Sequence, residues 1–237
     1  MSGFFITGTD TDAGKTVLMS LLLAAFNSQG YKSLPMKPAQ SGCKDNIPDL
    51  DYALSIAGIK PTNEQLSLMA PACYSSACSP HLAAEIEKNP INLSKIMKSF
   101  YELKEQSDIL LVEGAGGIMV PLTRRILMID LMKKMQLPVL IASRPGLGTI
   151  NHTLLSIKAL QRQNIEIAGI VFMHTHIDSE DFTTMDNKKT IFEFGSIPVI
   201  GTIPYEKKLG DAQPNKFDNL PSNIKNSVLE ITKRLAK

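Results

Sequence analysis

The sequence predicts an α/β fold, a doubly wound and mostly parallel sheet with helices on both faces. Short apolar runs recur along the chain without polar alternation, as strands buried on both faces require. Helical patterns separate those runs, the order that builds parallel crossovers. The first run also stops at a glycine and passes through a small polar loop to Gly14-Lys15-Thr16.

Phe4-Phe5-Ile6-Thr7 is the first strand, and a helix from Thr16 to about Ser28 follows, stopped by Gly30. Ser33 to Met36 forms a second, weaker strand closed by Pro38. Continuous runs at Ile109–Val112, Pro138–Ala142, Ile167–Met173 and Pro198–Gly201 supply four more. Leu93–Glu105 and Thr149–Arg162 carry helical patterns between them. From Ser222 onward, Ile224, Val228, Ile231 and Leu235 make an apolar stripe beside Lys225, Lys233 and Arg234. That stripe suits a final helix docked on the domain; a basic helix lying on a membrane surface is the other reading.

At 237 residues, with 43% hydrophobic and 20% charged residues, the chain is expected to form a single domain over 1–237. A net charge of +2 without long basic runs excludes a nucleic-acid footprint. Cys43, Cys73 and Cys78 are odd in number and lack the spacing of a disulfide framework or a zinc site. They read as buried free thiols in a reducing compartment. The opening residues have no basic leader, and Val17–Phe26, interrupted by Ser20, is about half a membrane span. A cytoplasmic location without membrane attachment is expected. The eleven methionines read as core filler.

Gly8-Thr9-Asp10-Thr11-Asp12-Ala13-Gly14-Lys15-Thr16 has one residue more than a standard phosphate-binding loop when counted from Gly8. A strand leading in and a helix leading out restore the reading. Loop amides and the helix dipole attract phosphate oxygens, Lys15 adds a charge and Thr16 a magnesium-binding hydroxyl. Glu113 stands at the carboxyl end of a buried strand, where a magnesium-holding acid of a P-loop nucleotide-hydrolase fold would stand. Gly114, Gly116 and Gly117 behind it allow close backbone approach to a ligand.

Several motifs in order resemble the dethiobiotin synthetase family. They are Gly8-Thr9-Asp10-Thr11 with Gly14-Lys15-Thr16, Lys37-Pro38 with Ser41-Gly42, Ser79-Pro80-His81, and Glu113-Gly114-Ala115-Gly116-Gly117. Gly146-Leu147-Gly148-Thr149-Ile150-Asn151-His152 and Gly201-x-Ile203-Pro204 complete the set, so the match runs from the first strand to about Tyr205. The resemblance implies an ATP-dependent, magnesium-requiring ligase of biotin biosynthesis. Such an enzyme takes 7,8-diaminononanoate and CO2 (or bicarbonate) through a carbamate and a carbamic-phosphoric anhydride to dethiobiotin. It implies Lys15 and Lys37 as catalytic cations, and Thr11, Ser41, Gly117 and Asn151 at the substrate. The nucleotide would meet Asp12, Ala13, Gly14, Lys15, Thr16 and Val17, then Asp51, Glu113, Gly114, Ala115 and Gly116, and Pro204, Tyr205 and Glu206. Thr16, Asp51 and Glu113 would hold magnesium, with Asp49 competing with Asp51 for that place. The family also works as a homodimer, the Gly148–Asn151 turn reaching the partner's site to hold the substrate carboxylate.

One departure stands out. Where well-known members carry an Asn-Asp pair that reads adenine, this chain has Met173-His174, so the nucleotide base preference is open. His81 and His152 are expected to satisfy backbone groups at helix starts rather than act as general bases. A partition or septum-positioning ATPase is the nearest competing reading, but its phosphate loop has an additional lysine near its start. Thr9-Asp10-Thr11-Asp12 has none. A cobyrinate-type amidotransferase would need room for a glutaminase domain.

Overall fold

The computed structural model describes residues 3–44, 46–175, 182–209 and 217–236. β1 (Gly3–Gly8) leads into α1 (Lys15–Ser28), β2 (Ser33–Met36) and a short β3 (Gln40–Ser41). Then come α2 (Pro48–Ala57), α3 (Asn63–Met69), a short β4 (Cys73–Tyr74), α4 (Pro80–Ile86) and α5 (Leu93–Glu105). The second half runs β5 (Ile109–Gly117), a hairpin of β6 (Pro121–Thr123) and β7 (Ile126–Leu127), α6 (Met128–Met135) and β8 (Val139–Ser143). It continues with α7 (Thr149–Arg162), β9 (Ile167–Met173), α8 (Phe182–Gly195), β10 (Val199–Ile203) and α9 (Ser222–Leu235).

Six strands form the main sheet in the order β10-β9-β8-β1-β5-β2, and every neighbouring pair is parallel. Successive side chains leave a strand on opposite faces, so each strand feeds two cores. Phe5, Leu110, Val112, Ile141 and Phe172 pack on one side. Phe4, Ile6, Leu111, Leu140 and Val171 pack on the other, with α1 and α9. This is why the strands read as unbroken apolar runs. β1 lies centrally, so its carboxyl end opens between β5 and β8, where ligands of open α/β sheets bind.

The apolar run of α1 has the same cause. Leu18 to Phe26 are all buried, because the helix is enclosed by the sheet, α2 and α9. Among the described residues no helix is long and apolar enough to cross a membrane. The stripe of α9 is buried at Ile224, Val228, Ile231 and Leu235, against β10 and α1. Gly201 makes that docking close, since any side chain there would overlap Ile231. The helix is therefore docked on the domain, and its apolar face is used up in the core.

Two differences from the sequence expectations bear on the site. Gly114 to Gly117 continue β5 rather than follow it, although the pairing with β1 skips from Ile6–Glu113 to Gly8–Gly117. The short elements β3, β4, α2, α3 and α4, all between β2 and α5, have no clear signature in the sequence. They are too short to show a periodicity, and tertiary packing decides them. Cys43, Cys73 and Cys78 are free thiols, the first buried and the other two half-buried.

Candidate active site

The phosphate loop is held in place from both ends. Thr9 donates its backbone N–H to the Ala142 carbonyl at 3.0 Å, fixing the loop to the end of β8. At the other end Gly14 takes a left-handed conformation with φ of 86°, and a Cβ there would lie 2.8 Å from Met173 Cβ. Only glycine suits that position. Lys15 is buried, and its Nζ donates to the carbonyls of Asp10 at 2.7 Å and Thr11 at 2.6 Å. The loop thus curls around its own lysine, with Thr11 and Asp12 exposed and Ala13 buried beneath.

Burial lowers the Lys15 ammonium to about 8, the attraction of Glu113 only partly offsetting it. Phosphate oxygens favour the charged form, so nucleotide binding is expected to take up a proton above about pH 8 and to weaken as pH rises further. Calorimetry at about pH 8.5 in buffers of different ionisation enthalpy should show that uptake, and Lys15→Arg should lose it. An uptake of zero in the wild type would mean that Lys15 is already fully charged.

Behind the loop, five side chains converge. Glu113 is fully buried, and the shift in β1–β5 pairing just after it frees the following backbone to turn over the site. Glu113 Oε1 accepts from Thr16 Oγ1 at 2.8 Å and from Lys37 Nζ at 2.7 Å. Lys37, one residue past the end of β2 and 3% exposed, also donates to the Gly114 carbonyl at 3.3 Å and pairs with Asp49 Oδ2 at 2.6 Å. Burial alone would lower Lys37, but Glu113 and Asp49 together hold its pKa above the ordinary lysine value. Burial raises the Glu113 carboxyl, with Lys37 pulling the other way. Lys15, at the start of α1, interacts electrostatically with all three.

Glu113 Oε2 is buried and has no hydrogen-bond partner among the described residues. A buried carboxylate oxygen without a partner is costly unless something positive meets it. With Thr16 Oγ1 and Asp49 close by, it offers two carboxylates and a hydroxyl. Among the described residues no larger group of His, Cys, Asp and Glu converges. This donor set suits Mg2+, which takes one or two carboxylates and completes its shell with water and substrate phosphates.

Of the two competing acids, Asp49 is the one that meets Lys37. α2 starts at Pro48 behind Ile47, which has no side chain able to cap the helix. Asp51 supplies the cap, its Oδ2 accepting from the Ile47 backbone N–H at 3.0 Å, and the residue is exposed. Two positions along a helix are about 200° apart around its axis. When Asp51 turns to the helix start, Asp49 faces Lys37.

A cavity of about 450 Å³ opens beside the cluster, lined by Gly14, Thr16 and Val17 on one side and Pro204, Tyr205 and Glu206 on the other. Pro48, Asp49, Tyr52, Met173, His174, Thr175, Ile203 and Leu209 complete the lining. Tyr52, which the sequence did not single out, donates its hydroxyl to the Leu209 carbonyl at 2.5 Å and so joins α2 to the far wall. Met173 packs beneath Gly14, so its side chain supports the phosphate loop.

The remaining expected residues are more dispersed. Gly116 and Gly117 lie against the loop: a Cβ at Gly116 would be 3.9 Å from Thr11 Oγ1, and one at Gly117 3.3 Å from the Gly8 carbonyl. Gly114 is buried and Ala115 half-buried in the same strand, and Ser41 is half-buried in β3. Asn151 is exposed in the first turn of α7 and lines a different cavity of about 720 Å³ with Leu147, Ile150, Leu155 and Lys158. It does not join the cluster within one chain. His81 Nδ1 is buried and has no hydrogen-bond partner among the described residues.

A family model described as an AAA domain matches residues 2–213. The ATP-dependent dethiobiotin synthetase BioD of Thermodesulfovibrio yellowstonii is 35% identical over 231 residues, 92% of this chain and 96% of that protein. The same enzyme of Halalkalibacterium halodurans is 39% identical over 213 residues, 85% of this chain and 84% of its own length. Among solved structures, the MinD cell division protein of Aquifex aeolicus in complex with MinC matches with a TM-score of 0.65 at 17% identity, over 100% of this chain and 96% of that one. A ParA family ATPase from Chlorobium tepidum matches with a TM-score of 0.61 at 13% identity, over 97% and 98%. At such low identity the last two share the fold alone.

Proposed function

The chain belongs to the dethiobiotin synthetase family, and from that premise we propose that it closes the ureido ring of dethiobiotin at the Lys15–Lys37–Glu113 cluster. The convergence of two buried lysines on one buried carboxylate at the end of a phosphate loop carries this reading. One amine of 7,8-diaminononanoate takes up CO2 as a carbamate. A carbamate oxygen attacks the γ-phosphorus of ATP, ADP leaves, and a carbamic-phosphoric anhydride forms. The second amine then attacks the carbamoyl carbon, inorganic phosphate leaves, and the ring closes. The protein contributes position and charge rather than a covalent intermediate. Lys15 and Lys37 lie where they can meet the negative charge of the carbamate and the transferring phosphoryl group. Thr16, Glu113 and Asp49 would hold Mg2+, which neutralises phosphate charge when bound. Thr11, Ser41 and Gly117 line the approach for the diamine. The location is cytoplasmic.

Asn151 has a place in this scheme if two copies associate, the first turn of α7 from one closing the other's site and meeting the substrate carboxylate. Exposed Leu147, Leu155, Phe182 and Met185 near that turn give such a homodimer an apolar face. The decisive assay is phosphate release from ATP, which should require both diaminononanoate and bicarbonate. Release that ignores either one would point to a plain nucleotide hydrolase.

The base cavity has a consequence for nucleotide choice. Val17, Pro48, Tyr52, Met173, Ile203, Pro204, Tyr205 and Leu209 make its lining largely apolar and aromatic. A thioether at 173 cannot supply the donor and acceptor pattern of an amide. Strong discrimination needs polar groups that the wrong base leaves unpaired. ATP and GTP are therefore expected to have specificity constants within roughly tenfold, a gap of about 1.4 kcal/mol. Steady-state kinetics with ATP, GTP and CTP test this, and an ATP preference above about a hundredfold would move base reading to the backbone of the Ile203–Glu206 segment.

A further inference from the structure

The end of β8 carries a set of buried hydroxyls that no step above uses. Ser143 Oγ lies 2.9 Å from Thr149 Oγ1 and 2.9 Å from Thr153 Oγ1, and the two threonine hydroxyls are 3.4 Å apart. All three residues are at most 5% exposed. The N-cap of α7 is Gly148, with φ of 92° and no side-chain cap. Thr149, at the first helical position, turns its hydroxyl inward to the strand. The neighbour of Ser143 points the opposite way: Arg144 Nη2 is 3.3 Å from Asp10 Oδ2, while Asp10 Oδ1 accepts from the Thr11 backbone N–H at 2.7 Å. One strand end thus touches both the phosphate loop and the first turn of α7.

Apolar side chains would fill this spot with as much burial, but their packing is non-directional. Hydroxyls bonded to each other in a dry interior fix the rotation and height of the helix start, and each loses its partner if the turn shifts. We propose that Ser143, Thr149 and Thr153 are positioning residues for the diamine, fixing the first turn of α7, and with it Asn151, on the end of β8 in the pose in which it is presented to the other copy's site. The proposal rests on the reading above that this turn receives the substrate carboxylate.

Thr149→Val keeps the shape and removes only the hydroxyl; Thr149→Ser keeps the hydroxyl. The valine variant should raise the KM for diaminononanoate by roughly tenfold, with kcat and the KM for ATP within about twofold, and the serine variant should stay near wild type. Backbone amide exchange across residues 146–153 should speed up in the valine variant and not elsewhere. Ser143→Ala and Thr153→Val should reproduce the effect, which guards against a folding defect in any one variant. A fall in melting temperature with unchanged diamine KM and unchanged local exchange would reduce the hydroxyls to core filling and overturn the proposal. Asn151→Ala separates the two ideas. If it leaves the diamine KM unchanged, the carboxylate reading fails. The exchange of residues 146–153 in Thr149→Val then still decides whether the hydroxyls fix the turn.

Discussion

Replacing Lys37 with alanine is expected to lower kcat by on the order of 10²–10³, the usual loss when one preorganised charge stabiliser is removed from an active site. Lys37 is 3% exposed and lies 2.7 Å from Glu113 and 2.6 Å from Asp49. Its charge acts where solvent screens little, and it is in place before substrate arrives. The fold should survive. Burial already raises the Glu113 carboxyl, and without the lysine that group can take up a proton instead of remaining a buried unpaired charge. Lys37→Met, which preserves most of the volume, should lose as much activity as the alanine variant. Lys15→Ala should be equally inactive for a different reason, since its lysine fixes the carbonyls of Asp10 and Thr11 and would meet the phosphates directly. Steady-state phosphate release with circular dichroism as a check on folding measures all three. Near-normal turnover in Lys37→Ala would take that residue out of the mechanism.

The acids of the cluster make a sharper contrast. Glu113→Gln and Asp49→Asn should each raise the magnesium concentration needed for half-maximal rate by at least roughly 10–100-fold, a loss seen even for residues that only support a metal's ligands. Asp51→Asn should leave the magnesium requirement unchanged. Its carboxylate accepts from the Ile47 N–H at the start of α2, and asparagine keeps an accepting oxygen there, so the stability of Asp51→Asn should stay near wild type, while Asp51→Ala should lose about 0.5–2 kcal/mol as for other helix-start caps. Magnesium titrations of these variants beside their denaturant midpoints would separate the roles. An Asp51→Asn enzyme with a high magnesium requirement would restore Asp51 to the metal site.

The strands of the main sheet, the phosphate loop and the place of Glu113 are legible in residue order. Residues buried on both faces must be apolar throughout, and a loop that wraps phosphate needs glycine, lysine and threonine in a fixed local order. Those constraints act within a few residues, so they are written in the chain. The docked α9 was legible for the same reason, as a stripe repeating every three or four residues.

Features that depend on the rotation of a short element, or on residues distant in sequence, take shape only in the packed molecule. Asp49 and Asp51 are both acids in the first turn of α2, and nothing local distinguishes them. Only the contact of α2 with Lys37, and the bare N-terminus at Ile47, turns one inward and the other back on its own helix. Tyr52 joins the cavity through a carbonyl 157 residues away. Met173 proved to be a support for Gly14, because the loop's left-handed glycine leaves a space that the end of β9 fills. The hydroxyls of Ser143, Thr149 and Thr153 look like ordinary small residues in the sequence. They become a set only when α7 folds back onto β8, since a hydrogen bond depends on direction and distance, which residue order across a turn does not fix.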